Sequence, residues 1–463
     1  MNTLKKINVL ALTLLITGSI DSIRNFPASA LFGGNLVFFI LFAGLTFLLP
    51  TALISAELAA NIDEGGVYQW VRLAFGERVG FFAVWLQWVN NIFWFPTILS
   101  FIGSTAVYFI SPELSQNKYY LVFMILGIFW LLTFINLKGV HLSTKLSSFC
   151  TTVGLIIPVL AIIGLFVAWL ILHKPLQIHL TLDTVIPHWD NLHPWVALTA
   201  IMLSFTGMEL TTVHINEIHE PQKNFPKALT ISSIIILITM LLGSLAIAFV
   251  LPNNQISLVN GTIQTFAYFL SAYHLTWLTP ILTACLIIGS FGGVISWVGG
   301  PIKGISQAAQ HGFLPAFFRR QNKHRVPKNL LIIQAILVSI VCTAFLFVPN
   351  INTSYWLLMA LATQLYMLMY VLMFLAALRL RHRMHGPRAA FRIPGGKIGS
   401  GIVCVMGLIG ISMTLIVGFI PPPVYHGHYL YYGFLFSSGI ILMLLPLRFF
   451  YWWHQRDSKN RMS

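Results

Sequence analysis

The chain has 463 residues, of which 57% are hydrophobic and only 8% charged, and its mean hydropathy is +0.81. A soluble domain carries about a quarter charged residues, so this composition cannot build a water-covered surface and lipid must cover most of it. The formal net charge of +15 does not point to nucleic acid, because the basic residues sit in short loops between apolar runs and form neither a basic groove nor an aromatic RNA motif.

A helix needs about 20 apolar residues to cross the hydrocarbon core. By that measure the sequence predicts twelve spans. Spans 1 to 6 cover 7–30, 35–58, 79–109, 119–137, 146–172 and 195–215, and spans 7 to 12 cover 227–251, 275–299, 329–347, 353–380, 399–420 and 429–453. Lys5-Lys6, the run from Ile7 to Ile16 and Ala28-Ser29-Ala30 imitate a secretory signal. Asp21 and Arg24 interrupt the approach to that cleavage site, so span 1 is expected to be retained. Span 3 is long enough to tilt strongly. Segments 61–76, 261–273 and 302–318 are too short or too polar to span and read as interfacial helices or re-entrant pieces.

Twelve spans put both termini on one side. Of 27 Lys and Arg residues, 24 lie at the termini or in the even-numbered loops, and only Lys118 and Lys174 lie in the odd-numbered ones; Arg24 is inside span 1. That bias places both termini in the cytoplasm.

Charges inside spans are rare and usually functional, since burying one costs about 2.5–3.5 kcal/mol even on the lenient insertion scale. Here they are Asp21 and Arg24 in span 1, Glu57 at the cytoplasmic end of span 2, and Glu209 in span 6. Glu57 reads as an interfacial residue that reaches water. Asp21 and Arg24 stand three residues apart on one helical face. Either they neutralise each other, or Arg24 holds an acidic substrate group or switches partners during transport.

Spans 1 and 6 share a second feature. In both, Thr-Gly is followed closely by an acid: Thr17-Gly18-Ser19-Ile20-Asp21 and Thr206-Gly207-Met208-Glu209. Such breaks at matching places in two halves of a transporter point to its binding site. They imply a five-plus-five inverted repeat, 1–172 and 195–380, followed by two extra helices in 399–453, all within one membrane domain, 1–463. A half-helix after a break offers free amides and a positive dipole end to a carboxylate, and the one before it offers carbonyls to an ammonium. Thr17, Gly18 and Ser19 together with Phe205, Thr206 and Gly207 therefore suit a small zwitterion such as an amino acid. The competing reading is a packing glycine in each helix.

His214, one turn and a residue beyond Glu209, either relays protons with it or is a hydrogen-bonded structural histidine. Cys150, Cys285, Cys342 and Cys404 are far apart with no CxxC, so no disulfide framework or zinc site is implied. His382, His385, His426 and His428 lie in loops without acidic or thiol partners, so no metal is expected. Gly65-Gly66 lacks the context of a phosphate loop. No cofactor and no enzymatic constellation is expected, and no filter repeat suggests a channel.

Further motifs run nearly end to end: Glu64-Gly65-Gly66-Val67-Tyr68-Gln69-Trp70, Ser204-Phe205-Thr206-Gly207-Met208-Glu209, Val213-His214-Ile215-Asn216-Glu217, Ser296-Trp297-Val298-Gly299-Gly300-Pro301 and Phe391-Arg392-Ile393-Pro394-Gly395-Gly396-Lys397. In this order over twelve spans, the chain resembles the amino acid–polyamine–organocation superfamily, most closely the bacterial glutamate/γ-aminobutyrate antiporters. The resemblance implies an all-α fold with broken helices 1 and 6, residence in a bacterial inner membrane, and exchange of amino acids or amines by alternating access. Proton symport is the alternative, and the protein would act as a monomer or homodimer. By position, Glu209 matches a glutamate linked to gating and proton sensing, Trp297 an aromatic that covers substrate, and Tyr366 and Tyr370 a tyrosine pair of helix 10. Three departures stand out: Gly293 replaces a glutamate one turn before the tryptophan, Asp21 and Arg24 replace uncharged residues, and the sequence stops ten residues after Trp453, without the long C-terminal plug of those antiporters.

Overall fold

The computed structural model describes residues 8–62, 66–139, 144–188, 192–210, 212, 218, 220–324, 326–348, 350–381, 391–422, 425 and 429–462. Among these residues the regular structure is helical and contains no β-strand. Eleven helical stretches are long and apolar enough to cross a membrane: Val9–Ala30, Asn35–Asn61, Glu77–Phe109, Lys118–Leu137, Ser148–Ile171, Lys223–Val250, Thr276–Gln310, Lys328–Phe347, Ile351–Leu380, Gly396–Val417 and Tyr429–Arg456. They coincide with every predicted span except span 6. That one is seen as a short helix, Ala197–Ser204, ahead of a break.

Local chemistry starts several of these helices. A helix leaves its first amides without partners, and an asparagine at the cap supplies one. Asn8 Oδ1 accepts from the Ala11 amide at 2.8 Å, and Asn350 Oδ1 accepts from the Thr353 amide at 2.7 Å. Asn117 does the same for Tyr119 and Tyr120 at the start of span 4. Spans 2 and 5 each contain a π turn, Gly44–Leu48 and Thr152–Ile156. Each turn ends two residues before a proline, Pro50 or Pro158. The proline ring removes a donor and crowds the carbonyl four residues back, and the wider turn relieves that clash.

Spans 3 and 10 form the centre, with 83% of their most apolar stretch buried, against 39% or less for spans 4, 5, 8's neighbour 9, 11 and 12. The outer spans turn Phe123, Ile340, Ile416 and Leu445 outward, which only a lipid environment accommodates cheaply. This is a multi-pass membrane protein.

Two sequence expectations need correction. Segment 302–318 is not a separate interfacial piece: span 8 runs unbroken from Thr279 to Gln310, through Pro301. Helices in lipid keep their internal bonds wherever they can, and the one bond lost at Pro301 does not end the element. Glu57 does not reach water; it is 4% exposed. Its Oε2 accepts from Arg381 Nη1 at 2.9 Å and its Oε1 from the Ile393 amide at 3.3 Å. Arg381 also donates to the Gly396 carbonyl at 2.5 Å. A buried pair thus ties span 2 to the end of span 10 and the start of span 11. The other two short segments do contain helices, Val67–Phe75 and Gly261–Ala272.

Candidate functional site

Both spans 1 and 6 are broken, but the break in span 1 is displaced from the place the sequence predicts. In span 1 the helix Val9–Ile20 ends where Asp21 and Ser22 turn to extended backbone. The chain then makes one 3-10 turn, Ile23–Asn25, and resumes as Phe26–Ala30. The break lies beyond Thr17, Gly18 and Ser19, which are all still helical. Gly18 serves packing instead: a Cβ there would fall 1.9 Å from Thr151 Oγ1. The close approach to Thr151 explains why this residue has no side chain.

In span 6 the break falls where the sequence places it. Helix Ala197–Ser204 gives way at Phe205, and Thr206 and Gly207 are non-helical. Gly207 has φ +111°, a conformation that glycine alone adopts readily. A Cβ there would also stand 2.9 Å from Trp297 Cζ2.

Between the breaks lies a cavity of ≈ 50 Å³. That is room for roughly three to five water-sized groups. Of the residues expected from sequence, Gly18, Ser19, Asp21, Arg24, Thr206 and Trp297 line it; Thr17, Phe205 and Gly207 stand behind. Sequence reasoning missed the walls from span 3 (Trp94, Ile98), span 5 (Cys150, Thr151, Gly154) and span 8 (Gly289, Ser290, Gly292). Gly154 and Gly289 pack backbone to backbone, since a Cβ on Gly154 would sit 2.0 Å from the Gly289 Cα. Such small-residue contacts between spans are a sequence signal only once the pair of spans is known. Gly293 also lines the cavity, and a Cβ added there would meet nothing within 4 Å.

Asp21 and Arg24 are not ion-paired. Asp21 Oδ2 accepts from Thr239 Oγ1 of span 7 at 2.6 Å. Arg24 Nη1 donates to Thr97 Oγ1 of span 3 at 2.9 Å and to the Tyr355 hydroxyl of span 10 at 3.2 Å. The helix ends at Ile20, just before Asp21, so the three-residue spacing no longer sets the two residues on one face.

Glu209 sits behind the cavity, 1% exposed. Its carboxyl oxygens take hydrogen bonds from the Tyr366 hydroxyl, the Tyr370 hydroxyl at 2.5 Å and Gln87 Nε2 at 3.1 Å. The Tyr370 hydroxyl in turn accepts from the Gly207 amide at 2.8 Å, which ties the acid to the break itself. Trp297 bridges the two regions. Its indole N–H donates to the Ser19 carbonyl at 2.8 Å, its ring stacks on Trp94 with centroids 4.9 Å apart, and its edge meets Tyr366 at 6.3 Å. The expected gating group of Glu209, Tyr366 and Tyr370 is therefore contiguous with the cavity through one tryptophan. His214 lies outside the described residues. Among the described residues no cluster of His, Cys, Asp or Glu could hold a metal.

Comparison with known proteins gives a consistent result. The model of the family described as amino acid permease matches residues 7–446. An uncharacterized transporter of Legionella pneumophila is 38% identical over 97% of each chain. A glutamate/gamma-aminobutyrate antiporter of Lactococcus lactis is 30% identical over 96% of this chain and 90% of its own. Among solved structures, a manganese transporter of Eremococcus coleocola, crystallised with an aromatic bis-isothiourea compound, superposes with a TM-score of 0.56 at 14% identity, covering 96% of this chain and 94% of that one. At that identity the likeness is one of fold.

Proposed function

The chain belongs to the amino acid permease family, and from that premise we propose that it is a secondary active amino acid antiporter of the glutamate/γ-aminobutyrate type, working by alternating access in a bacterial inner membrane. Relatives and fold are those of transporters rather than enzymes. The observation that carries the reading is one cavity flanked by two broken helices, with the covering tryptophan bonded to the carbonyl end of the first.

In this reading the solute's α-carboxylate meets the amides that follow Asp21 and Ser22. Its ammonium meets the carbonyls ending the first half of span 6, at Phe205 and Thr206. Trp297 closes over it. A solute that fills the cavity presses on Trp297, and through Tyr366 the displacement reaches Glu209 and the Gly207 amide. The repeats 1–172 and 195–380 rock about this centre while 399–453 stays outside, and the loop charges hold both termini in the cytoplasm.

The test is counterflow by the purified protein in proteoliposomes against labelled amino acids and their decarboxylation products. Saturable exchange that needs a solute inside the vesicle supports antiport. Uptake driven by a proton gradient into empty vesicles favours symport with Glu209 as proton carrier. No exchange of any solute between pH 5 and 8 sinks the assignment.

A further inference from the structure

We infer that Arg24 reads the charge at the distal end of the transported solute and selects solutes that carry a carboxylate there. The inference rests on the antiporter reading above and names its substrate class. Arg24 is 2% exposed and lines the cavity. Its Nη1 is held by two neutral hydroxyls, Thr97 and Tyr355, and its guanidinium lies over the Trp94 ring at 5.0 Å. Nε is buried with no hydrogen-bond partner. No described carboxylate lies within ion-pair reach, and the nearest acid in sequence, Asp21, is taken by Thr239 of span 7.

A buried guanidinium with only neutral partners is costly, and its cost is relieved when an anion completes the set. The guanidinium fork matches a carboxylate in two-point geometry. Three spans hold the side chain fixed: its own, span 3 through Thr97 and Trp94, and span 10 through Tyr355. Trp94 is in turn stacked on Trp297. The solute's α-carboxylate and ammonium are taken by the two breaks, so the group left to meet Arg24 is the far end of the side chain. In this poorly screened site a cation there is repelled and a neutral amide gains less than a carboxylate.

The experiment is counterflow by the full chain in proteoliposomes with three probes of similar length: glutamate, glutamine and ornithine. The wild-type protein is expected to exchange glutamate at least ~10-fold better than the other two, the factor that one charged hydrogen bond supplies. Arg24→Gln is expected to bring the three probes within about threefold of one another while glutamine exchange persists. Arg24→Lys, which keeps the charge and loses the fork, is expected to keep the order of preference with a raised KM for glutamate. The assignment is overturned if wild type prefers glutamine or ornithine, or if Arg24→Gln keeps the wild-type ratio. Should Arg24→Gln not fold, an unchanged glutamate KM in Arg24→Lys overturns it. Exchange of neutral or cationic probes with glutamate excluded defeats this assignment alone, whereas wild-type protein that exchanges nothing defeats the antiporter reading as well.

Discussion

Replacing Gly207 by alanine attacks the break in span 6 at its one conformationally demanding residue. At φ +111° an L side chain pays backbone strain of about 1–3 kcal/mol. The new Cβ also comes 2.9 Å from Trp297 Cζ2, so the indole must shift and its 2.8 Å bond to the Ser19 carbonyl weakens, adding about 0.5–1.5 kcal/mol. Together this arrangement loses roughly 2–4 kcal/mol, a factor of about 30 to 1,000 in its population. Counterflow should fall to near background while the detergent-purified protein still elutes as a folded species with a lowered unfolding midpoint. Gly18→Ala is the internal control. Gly18 is helical, and its clash is with the Thr151 side chain, at 1.9 Å from Oγ1 and 2.8 Å from Cβ and Cγ2, so pairing it with Thr151→Gly, which removes all three atoms, should restore exchange. If Gly207→Ala transports and melts like wild type, the break does not depend on that backbone conformation.

Trp297→Phe keeps an aromatic ring against Trp94 and loses the donor to the Ser19 carbonyl; exchange should slow about 3- to 10-fold, seen as reduced initial counterflow. Gly293→Ala adds a methyl to a cavity of ≈ 50 Å³ without steric conflict, so folding should be unaffected while KM rises about 10-fold or more for the longest solutes accepted. Arg381→Met removes the charged partner of the buried Glu57, which keeps the Ile393 amide, and should cost about 1–3 kcal/mol in denaturant titrations, with Glu57→Leu in the same chain recovering part of that loss. Tyr370→Phe removes the acceptor of the Gly207 amide and one donor to Glu209, and should lower exchange more than Tyr366→Phe, which removes a donor to Glu209 and leaves the Gly207 amide with its acceptor.

The spans were legible because crossing length is a property of composition, and eleven of them are helical among the described residues. The breaks were partly legible. Thr206-Gly207 marks the interruption in span 6 because φ +111° requires glycine. Gly18 looked equivalent in sequence, yet it is there for close packing on Thr151, and the chain leaves the helix at Asp21 instead. A glycine's letter does not distinguish these two uses. The partners of Asp21 and Arg24 were hidden for the same kind of reason: they come from spans 3, 7 and 10, and only the folded bundle says which hydroxyl faces which charge. The cavity walls in spans 5 and 8, and the burial of Glu57 against Arg381, depend on helix-to-helix register that no single span encodes. Segment 302–318 misled in the opposite direction: its polarity hid that the helix from Thr279 to Gln310 continues into it through Pro301.

Cys150 offers a direct reading of whether the solute occupies the space between the two breaks, because its side chain lines the cavity beside Gly292 while Cys342 and Cys404 are fully buried. In a Cys285→Ser background, alkylation of Cys150 by a small water-soluble maleimide should slow several-fold when a solute that is exchanged is present at saturation, and not with one that is refused. Equal alkylation rates with and without a solute that the same protein demonstrably exchanges would place transport elsewhere in the molecule.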